Sequence, residues 1–326
     1  MNGYSELQLG PLDHVRPVVA LHPAASLLSL VAGSVGGRPH GVPGHWRRGV
    51  SRVVGADAAA LTPLFDPYCS IIPDCLTGTA TMVEADIGAH LDMLADLDAG
   101  TLLGELEAEF GAEVPVHWRP VVERPRAWLR VYAELMSRLW QEFAPMWRRA
   151  DALLRKEQER VGVAAVTGTL DAVLTGLNSR FTFTGTSLRL PDQQGRQFDL
   201  DGRRLTLVPV ISGHGACLFS FDPPGPAWIG YPLPALGLLW SDDGEPDAGK
   251  DSLALTVGRV RAAILRAARL PLTVGALAGL LGCTPATASY HCDQLQAAGL
   301  LNRERHGRHV RVRLTARGEA LVDLMS

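Results

Sequence analysis

The side chains best placed to do chemistry lie within thirty residues near the C-terminal end. They are the hydroxyls of Thr284, Thr287, Ser289 and Tyr290, the amide of Gln294, and the guanidinium groups of Arg303, Arg305, Arg308 and Arg311. Hydroxyls and amides bond to base edges and phosphate oxygens, and guanidinium groups pair with phosphates, so the chemistry on offer is recognition of a nucleic acid. The spacing supports this. Thr284 supplies a hydroxyl for the free amides of a first helical turn, and Pro285 takes the position where a missing N–H costs nothing. A helix is expected over 285–298, closed by Gly299. Ala288, Cys292 and Leu295 form its narrow apolar stripe, and Ala286, Thr287, Ser289 and Tyr290 lie away from it on the first two turns. His291 sits about 60° from the centre of that stripe. A ring at the core edge and a contact to DNA are both open for it.

Other reactive residues are scattered. The chain has no G-x-S-x-G, Gly-rich phosphate loop, H-E-x-x-H or Cys-x-x-Cys. His214 lies between two glycines with no nucleophile or carboxylate tied to it by spacing. Among Glu84, Asp86, His90 and Asp92, the pair Asp86 and His90 would share one helical face as metal ligands, against the plainer reading of a solvated acidic first turn. Cys69 and Cys75 flank Pro73 and read as inert buried thiols rather than oxidant sensors. No catalytic residue, cofactor or metal is expected, and the chain is not expected to be an enzyme.

The elements that would position the contact residues are legible on both sides. Leu255–Ala268 reads as a first helix with Val260, Ile264 and Ala268 inward, and Thr273–Leu281 as a second with Val274, Leu277, Leu280 and Leu281 on its apolar side. Gly282 ends the second helix and Cys283 lies in the turn. After the third helix, Val310, Val312 and Leu314 alternate with His309, Arg311 and Arg313, the period of a half-buried strand. His306-Gly307 would be the tip of a hairpin over 302–314, and Thr315 the cap of a last helix. Charge follows the same division. Residues 251–326 hold ten Arg, no Lys and five acidic residues, a net +5, whereas residues 1–250 hold 21 basic and 29 acidic residues, a net −8. Attraction to a polyanion therefore belongs to the C-terminal module.

The stretch LGCTPATASYHCDQLQAAGLL…GRHVRVRLTARGEAL resembles the helix-turn-helix and wing of ArsR-type winged-helix regulators. It carries Thr284-Pro285-Ala286-Thr287 at the helix start, Ser289-Tyr290-His291 as the polar triplet and Ala298-Gly299-Leu300 at the exit. The resemblance implies a repressor that reads duplex DNA with helix 285–298 and wing 302–314. The N-terminal 250 residues resemble the large, poorly defined region of an actinobacterial subgroup of these proteins. Metal-sensing members carry Cys-x-Cys on the helix before the recognition helix and histidine on the terminal helix. Here TVGALAGLLG has no cysteine and TARGEALVDLMS no histidine, so metal sensing at those places is not expected. Cys292 stands where the family usually has Leu and reads as a small buried hydrophobe.

At 326 residues and 47% apolar content the chain has room for two or three cores. No apolar run approaches the roughly 20 residues of a membrane span, MNGYSELQLGPLDH has no leader character, and five scattered cysteines suit reduced thiols. A cytoplasmic location with no membrane association is expected. Glu6–Leu9 reads as a strand, helices follow between about residues 24 and 111 around a Pro/Gly loop at 37–44, and Pro125–Arg160 is the dominant helix, kinked at Pro145. A further helix is expected over Val163–Leu177. Thr186–Leu190, Gln197–Leu200, Arg204–Pro209, Cys217–Asp222 and Ala227–Pro232 read as strands of one small antiparallel sheet. The fold class is α+β. A mostly helical N-terminal region (1–240, helical to 180, then the sheet) is followed by a linker at 241–250 and a winged helix-turn-helix at 251–326. Trp128, Tyr132, Trp140, Phe143 and Trp147 are candidates to line an apolar ligand pocket, although an aromatic stripe at this spacing is more often plain core. The expected partners are double-stranded DNA, a second copy of the chain and a small organic effector in preference to a metal. The alternative is an enzyme or protein-interaction module with an appended DNA-binding domain.

Overall fold

The computed structural model describes residues 3–36, 40–66, 71–78, 87–111, 113–223, 225–234, 236–241, 251–269, 271–306 and 309–325. The chain divides into two compact units, residues 1–175 with 180–232, and residues 233–326 with 176–179.

The N-terminal unit opens with strands β1 (Gly3–Gln8) and β2 (Pro17–Val19), then helices α1 (Pro23–Ser34), α2 (Gly44–Val54), α3 (Ala58–Leu61), α4 (Asp74–Thr77), α5 (Ile87–Ala95), α6 (Ala99–Phe110) and α7 (Arg119–Glu123). Helix α8 (Pro125–Thr167) and the short α9 (Leu170–Thr175) lead into β3 (Thr182–Phe183), β4 (Ser187–Asp192), β5 (Gln197–Asp199), β6 (Leu205–Val210), β7 (Leu218–Ser220) and β8 (Ala227–Pro232). The α+β class and the helical predominance are as the sequence implied.

Helix α8 is one 43-residue helix, not the two expected around residue 162. Gly162 costs about 1 kcal/mol in a helix interior, but Val161 and Ala164 are buried on either side of it and hold the turn. The stop comes at Gly168, whose φ of 68° is the left-handed C-terminal conformation. Pro145 lies inside the helix and does not end it.

The strands form two four-stranded sheets in place of one antiparallel sheet, ordered β3-β4-β1-β5 and β2-β6-β8-β7. In the first, β1 runs antiparallel to β4 and parallel to β5. In the second, β2, β6 and β8 are mutually parallel and β7 is antiparallel at the edge. Every residue of β6 and β8 is buried, the mark of parallel strands covered on both faces. Val208, Val210 and Trp228 pack with Ala20, Ala25 and Ala216, which seats α1 on this sheet.

Two buried polar groupings stand in the N-terminal unit. Glu157, 3% exposed on α8, accepts the Tyr231 hydroxyl at 2.8 Å and the Arg160 guanidinium at 2.7 and 2.6 Å. It thereby ties the long helix to β8, and burial followed by the Glu157 charge pushes the Tyr231 phenol well above its ordinary range. His22, which precedes α1, faces His90 of α5 with ring centroids 5.3 Å apart.

The C-terminal unit contains α10 (Leu236–Ser241), α11 (Ser252–Val257), α12 (Arg259–Ala267), β9 (Leu272–Thr273), α13 (Val274–Leu281), α14 (Pro285–Ala297), β10 (Leu301–His306), β11 (His309–Leu314) and α15 (Ala316–Leu324). Ser241, expected to open the linker, closes α10, and 242–250 lie outside the described residues. The helix expected over Leu255–Ala268 is two helices, because Gly258 takes φ 85° between them. Asp251 accepts the Ala254 amide at the start of α11 and pairs with Arg266 at 2.8 Å, bracing the corner. Val260 is consequently 41% exposed instead of inward, while Ile264 and Ala268 are buried as expected. One core joins Leu253, Ile264, Leu277, Cys292, Leu295, Val312 and Val322.

Replacing Glu157 by Ala should lower the stability of the N-terminal unit by about 3 kcal/mol, the low end for breaking a buried pair because Arg160 still reaches water. Tyr231→Phe should cost about 1–2 kcal/mol. Urea denaturation followed by tryptophan fluorescence reads this directly, since six of the seven tryptophans precede residue 233. Equal midpoints for both variants and the parent would show that the Glu157 cluster carries no stability.

Candidate nucleic-acid interface

The interface is built on α14. Thr284 accepts the Thr287 amide at 3.2 Å and shares a hydroxyl–hydroxyl bond with Thr287 at 2.9 Å, so the helix start is fixed by the residues expected to do it. The preceding helix α13 is capped in the same way by Thr273, whose hydroxyl accepts the Ala276 amide at 3.1 Å, and is closed by Gly282 at φ 61°. Ala288, Cys292 and Leu295 are buried, and burial pushes the Cys292 thiol above its ordinary pKa. Thr284, Ala286, Thr287, Tyr290, Asp293 and Gln294 are exposed, and Tyr290 is 57% exposed.

Two members of the expected contact set sit elsewhere. His291 is half-buried with its ring against Tyr290 at 5.4 Å, and its Nδ1 is buried without a partner among the described residues. Ser289 is half-buried on the flank that meets the wing, where its carbonyl and hydroxyl accept Arg303 at 3.2 and 3.3 Å.

The register of the wing explains this. Strand β10 pairs antiparallel with β11, with Arg303 opposite Val312, Glu304 opposite Arg311 and Arg305 opposite Val310. Strand alternation therefore puts Arg303 on the same face as Leu301 and Val312, which point to the core. From there Arg303 reaches α14 and pairs with Asp293 at 2.7 Å. It is held within the protein and is only 26% exposed, unlike the outward phosphate-facing arginine expected. Asp293 was not singled out from the sequence. Its place nine residues after the cap is unremarkable until the partner strand is known. Arg305 is exposed and Arg311 half-buried, and Arg308 lies outside the described residues. Val310, expected inward, is 45% exposed. Strand β9 completes a three-stranded sheet, and Thr315 caps α15 through the Gly318 amide while donating to the Gly299 carbonyl at 2.7 Å.

A family model described as a helix-turn-helix domain matches residues 259–304, which span α12, α13, α14 and the start of the wing. No curated protein and no solved structure is significantly similar to the chain. The C-terminal unit carries a helix-turn-helix domain, a type of module that binds DNA. No helix among the described residues is long and apolar enough to cross a membrane.

The aromatic residues of α8 fall into separate groups. Trp128 and Tyr132 are buried and stack at 5.2 Å, with the Trp128 indole donating to the Ala60 carbonyl. Phe143 packs against Trp46 at 5.7 Å and Trp140 at 6.5 Å, and Trp147 is half-buried. Phe143 alone of the five lines the apolar cavity beside Leu30, Val50 and Leu139, whose volume of about 20 Å³ admits a water and not an organic effector. Of the acidic group weighed near His90, Glu84 and Asp86 lie outside the described residues, as does Cys69. Among the described residues no three metal-ligating side chains gather.

Arg303→Ala should weaken both folding and binding, because it cuts the wing from the recognition helix. A loss of about 1–3 kcal/mol in the stability of the C-terminal unit is expected from the lost bonds to a charged group. Arg305→Ala should leave stability unchanged. Calorimetric unfolding of the two variants checks the distinction, and identical unfolding of both would remove the clamp role from Arg303.

Proposed function

We propose that the protein is an ArsR-type winged-helix transcriptional repressor that reads duplex DNA as a homodimer. The observation that carries the reading is the exposed face of α14, where Thr287, Tyr290 and Gln294 stand clear of the core beside the basic hairpin. Thr287 and Gln294 suit base edges, Gln pairing with adenine, and Tyr290 offers its hydroxyl to a base or a phosphate. Arg305, Arg308 and Arg311 supply the phosphate contacts that set register. Thr284 and Ala286 frame the first turn, while Ser289 and His291 act by positioning their neighbours.

A single recognition helix spans few base pairs, and pairing of two readers about one helical turn apart is the common way to gain discrimination. The two copies would then bind an inverted repeat. Residues 1–250, at −8, are repelled by a phosphate backbone. They contribute dimer contacts and control instead of DNA affinity, and no catalytic role is assigned to any residue.

Genomic fragments selected by the full-length protein define the operator, and fluorescence anisotropy then measures each variant. Thr287→Ala or Gln294→Ala should reduce discrimination between operator and mismatched duplex by about 1–3 kcal/mol. Arg305→Ala or Arg311→Ala should weaken all duplexes alike and lower the salt slope by about 1. Unchanged discrimination in both helix variants would place base reading elsewhere. Monomers in sedimentation at micromolar concentration, with protection of a single half-site, would remove the homodimer.

A further inference from the structure

Among the described residues of the N-terminal unit, several buried side-chain nitrogens have no hydrogen-bond partner, and four of them belong to two facing histidines. Both ring nitrogens of His22 and both of His90 are unpaired, and among the described residues no other side chain leaves two buried polar atoms unpaired. His22 is 0% and His90 2% exposed. Burying a polar atom without a partner costs about 1–3 kcal/mol, and folded proteins keep few such atoms without a use for them. His22 stands at the N-cap of α1, yet its side chain makes no capping bond. His90 comes from α5, which is distant in sequence, so the fold has brought the two rings together.

We propose that His22 and His90 form a binding site for a divalent transition-metal ion, with one nitrogen of each imidazole as ligand. A zinc-like ion sits about 2.0–2.1 Å from a ligating imidazole nitrogen, and hence about 3.2 Å from the ring centroid. With the ring centroids 5.3 Å apart and the ring planes at 88°, an ion at that distance from both centroids would see them at about 110°, close to the tetrahedral angle such ions favour. Burial holds both imidazoles at a pKa of about 4, with the His22 ring adding to the effect on His90. Both are therefore neutral near pH 7 and present lone pairs to an ion of the class that imidazole suits, zinc, copper or nickel. No third histidine, cysteine or carboxylate completes the set among the described residues. The remaining positions fall to water or an anion, and the positive end of α1 favours an anion there. The site lies outside the helix-turn-helix unit, departs from the organic effector expected from the sequence, and does not depend on the DNA-binding reading.

The test uses the full-length protein, freed of metal with a chelator and titrated with cobalt(II) at pH 7.5. One equivalent should bind with the visible absorption of a tetrahedral cobalt centre, and zinc(II) should displace it. His22→Leu and His90→Leu each remove two unpaired buried nitrogens, so both should fold with unchanged circular dichroism and bind cobalt(II) at least tenfold more weakly. A reading on the parent chain needs no variant: zinc(II) should shift two of the ten histidine ring signals together in the NMR spectrum. Absence of a saturable one-equivalent site, equal binding by parent and variants, or zinc shifts confined to exposed histidines would each overturn the assignment.

Discussion

The recognition helix must be held rigidly while most of its circumference stays in water, and the architecture of the C-terminal unit follows from that constraint. A stripe of Ala288, Cys292 and Leu295 is a narrow anchor for a helix of thirteen residues. Two of the three side chains are small. Apolar burial of that size fixes the helix against the core but leaves its roll weakly determined. The roll is set by polar contacts at the two ends and one flank. Thr284 fixes the start, Gly299 at φ 70° turns the chain away at the end, and Arg303 grips the flank through Ser289 and Asp293. These contacts take the place of the larger hydrophobic face found on an ordinary surface helix.

The N-terminal unit solves a different problem with buried polar groups. Its parallel strands need crossover connections and lie under helices on both faces, so any charge that enters must be matched. Glu157 is matched by Arg160 and by the Tyr231 hydroxyl. His22 and His90 are not; burial keeps His22 neutral, and burial with the neighbouring His22 ring keeps His90 neutral. One unit therefore contains both a satisfied and an unsatisfied polar group, and the contrast is what makes the histidine pair a site and not a packing detail.

What was legible in the sequence was what is local. The Thr284-Pro285 start, the Gly282 and Gly299 stops and the Thr273 and Thr315 caps are encoded within three or four residues of where they act. The sheets were not local. Strand β2 pairs with β6 across most of the unit, and three residues carry no periodic signal of their own. The mostly apolar runs of Leu205–Val210 and Ala227–Pro232 were the available sign of parallel strands, and alternation is the wrong template for them. Gly258 split a helix because its apolar neighbours fit either one helix or two. Arg303 was within reach. Period two carried back from Val312 through the hairpin places it on the core face with Leu301.

That position changes how the interface works. If every wing arginine faced phosphate, the wing would contribute affinity and the helix specificity, each independently. With Arg303 bonded to Ser289 and Asp293, the wing strand and the recognition helix are tied together. Arg305 and Arg311 then lie at a fixed distance from Thr287, Tyr290 and Gln294. In the proposed DNA-binding mode, phosphate contacts made by the first pair would determine which base edges the second group reaches.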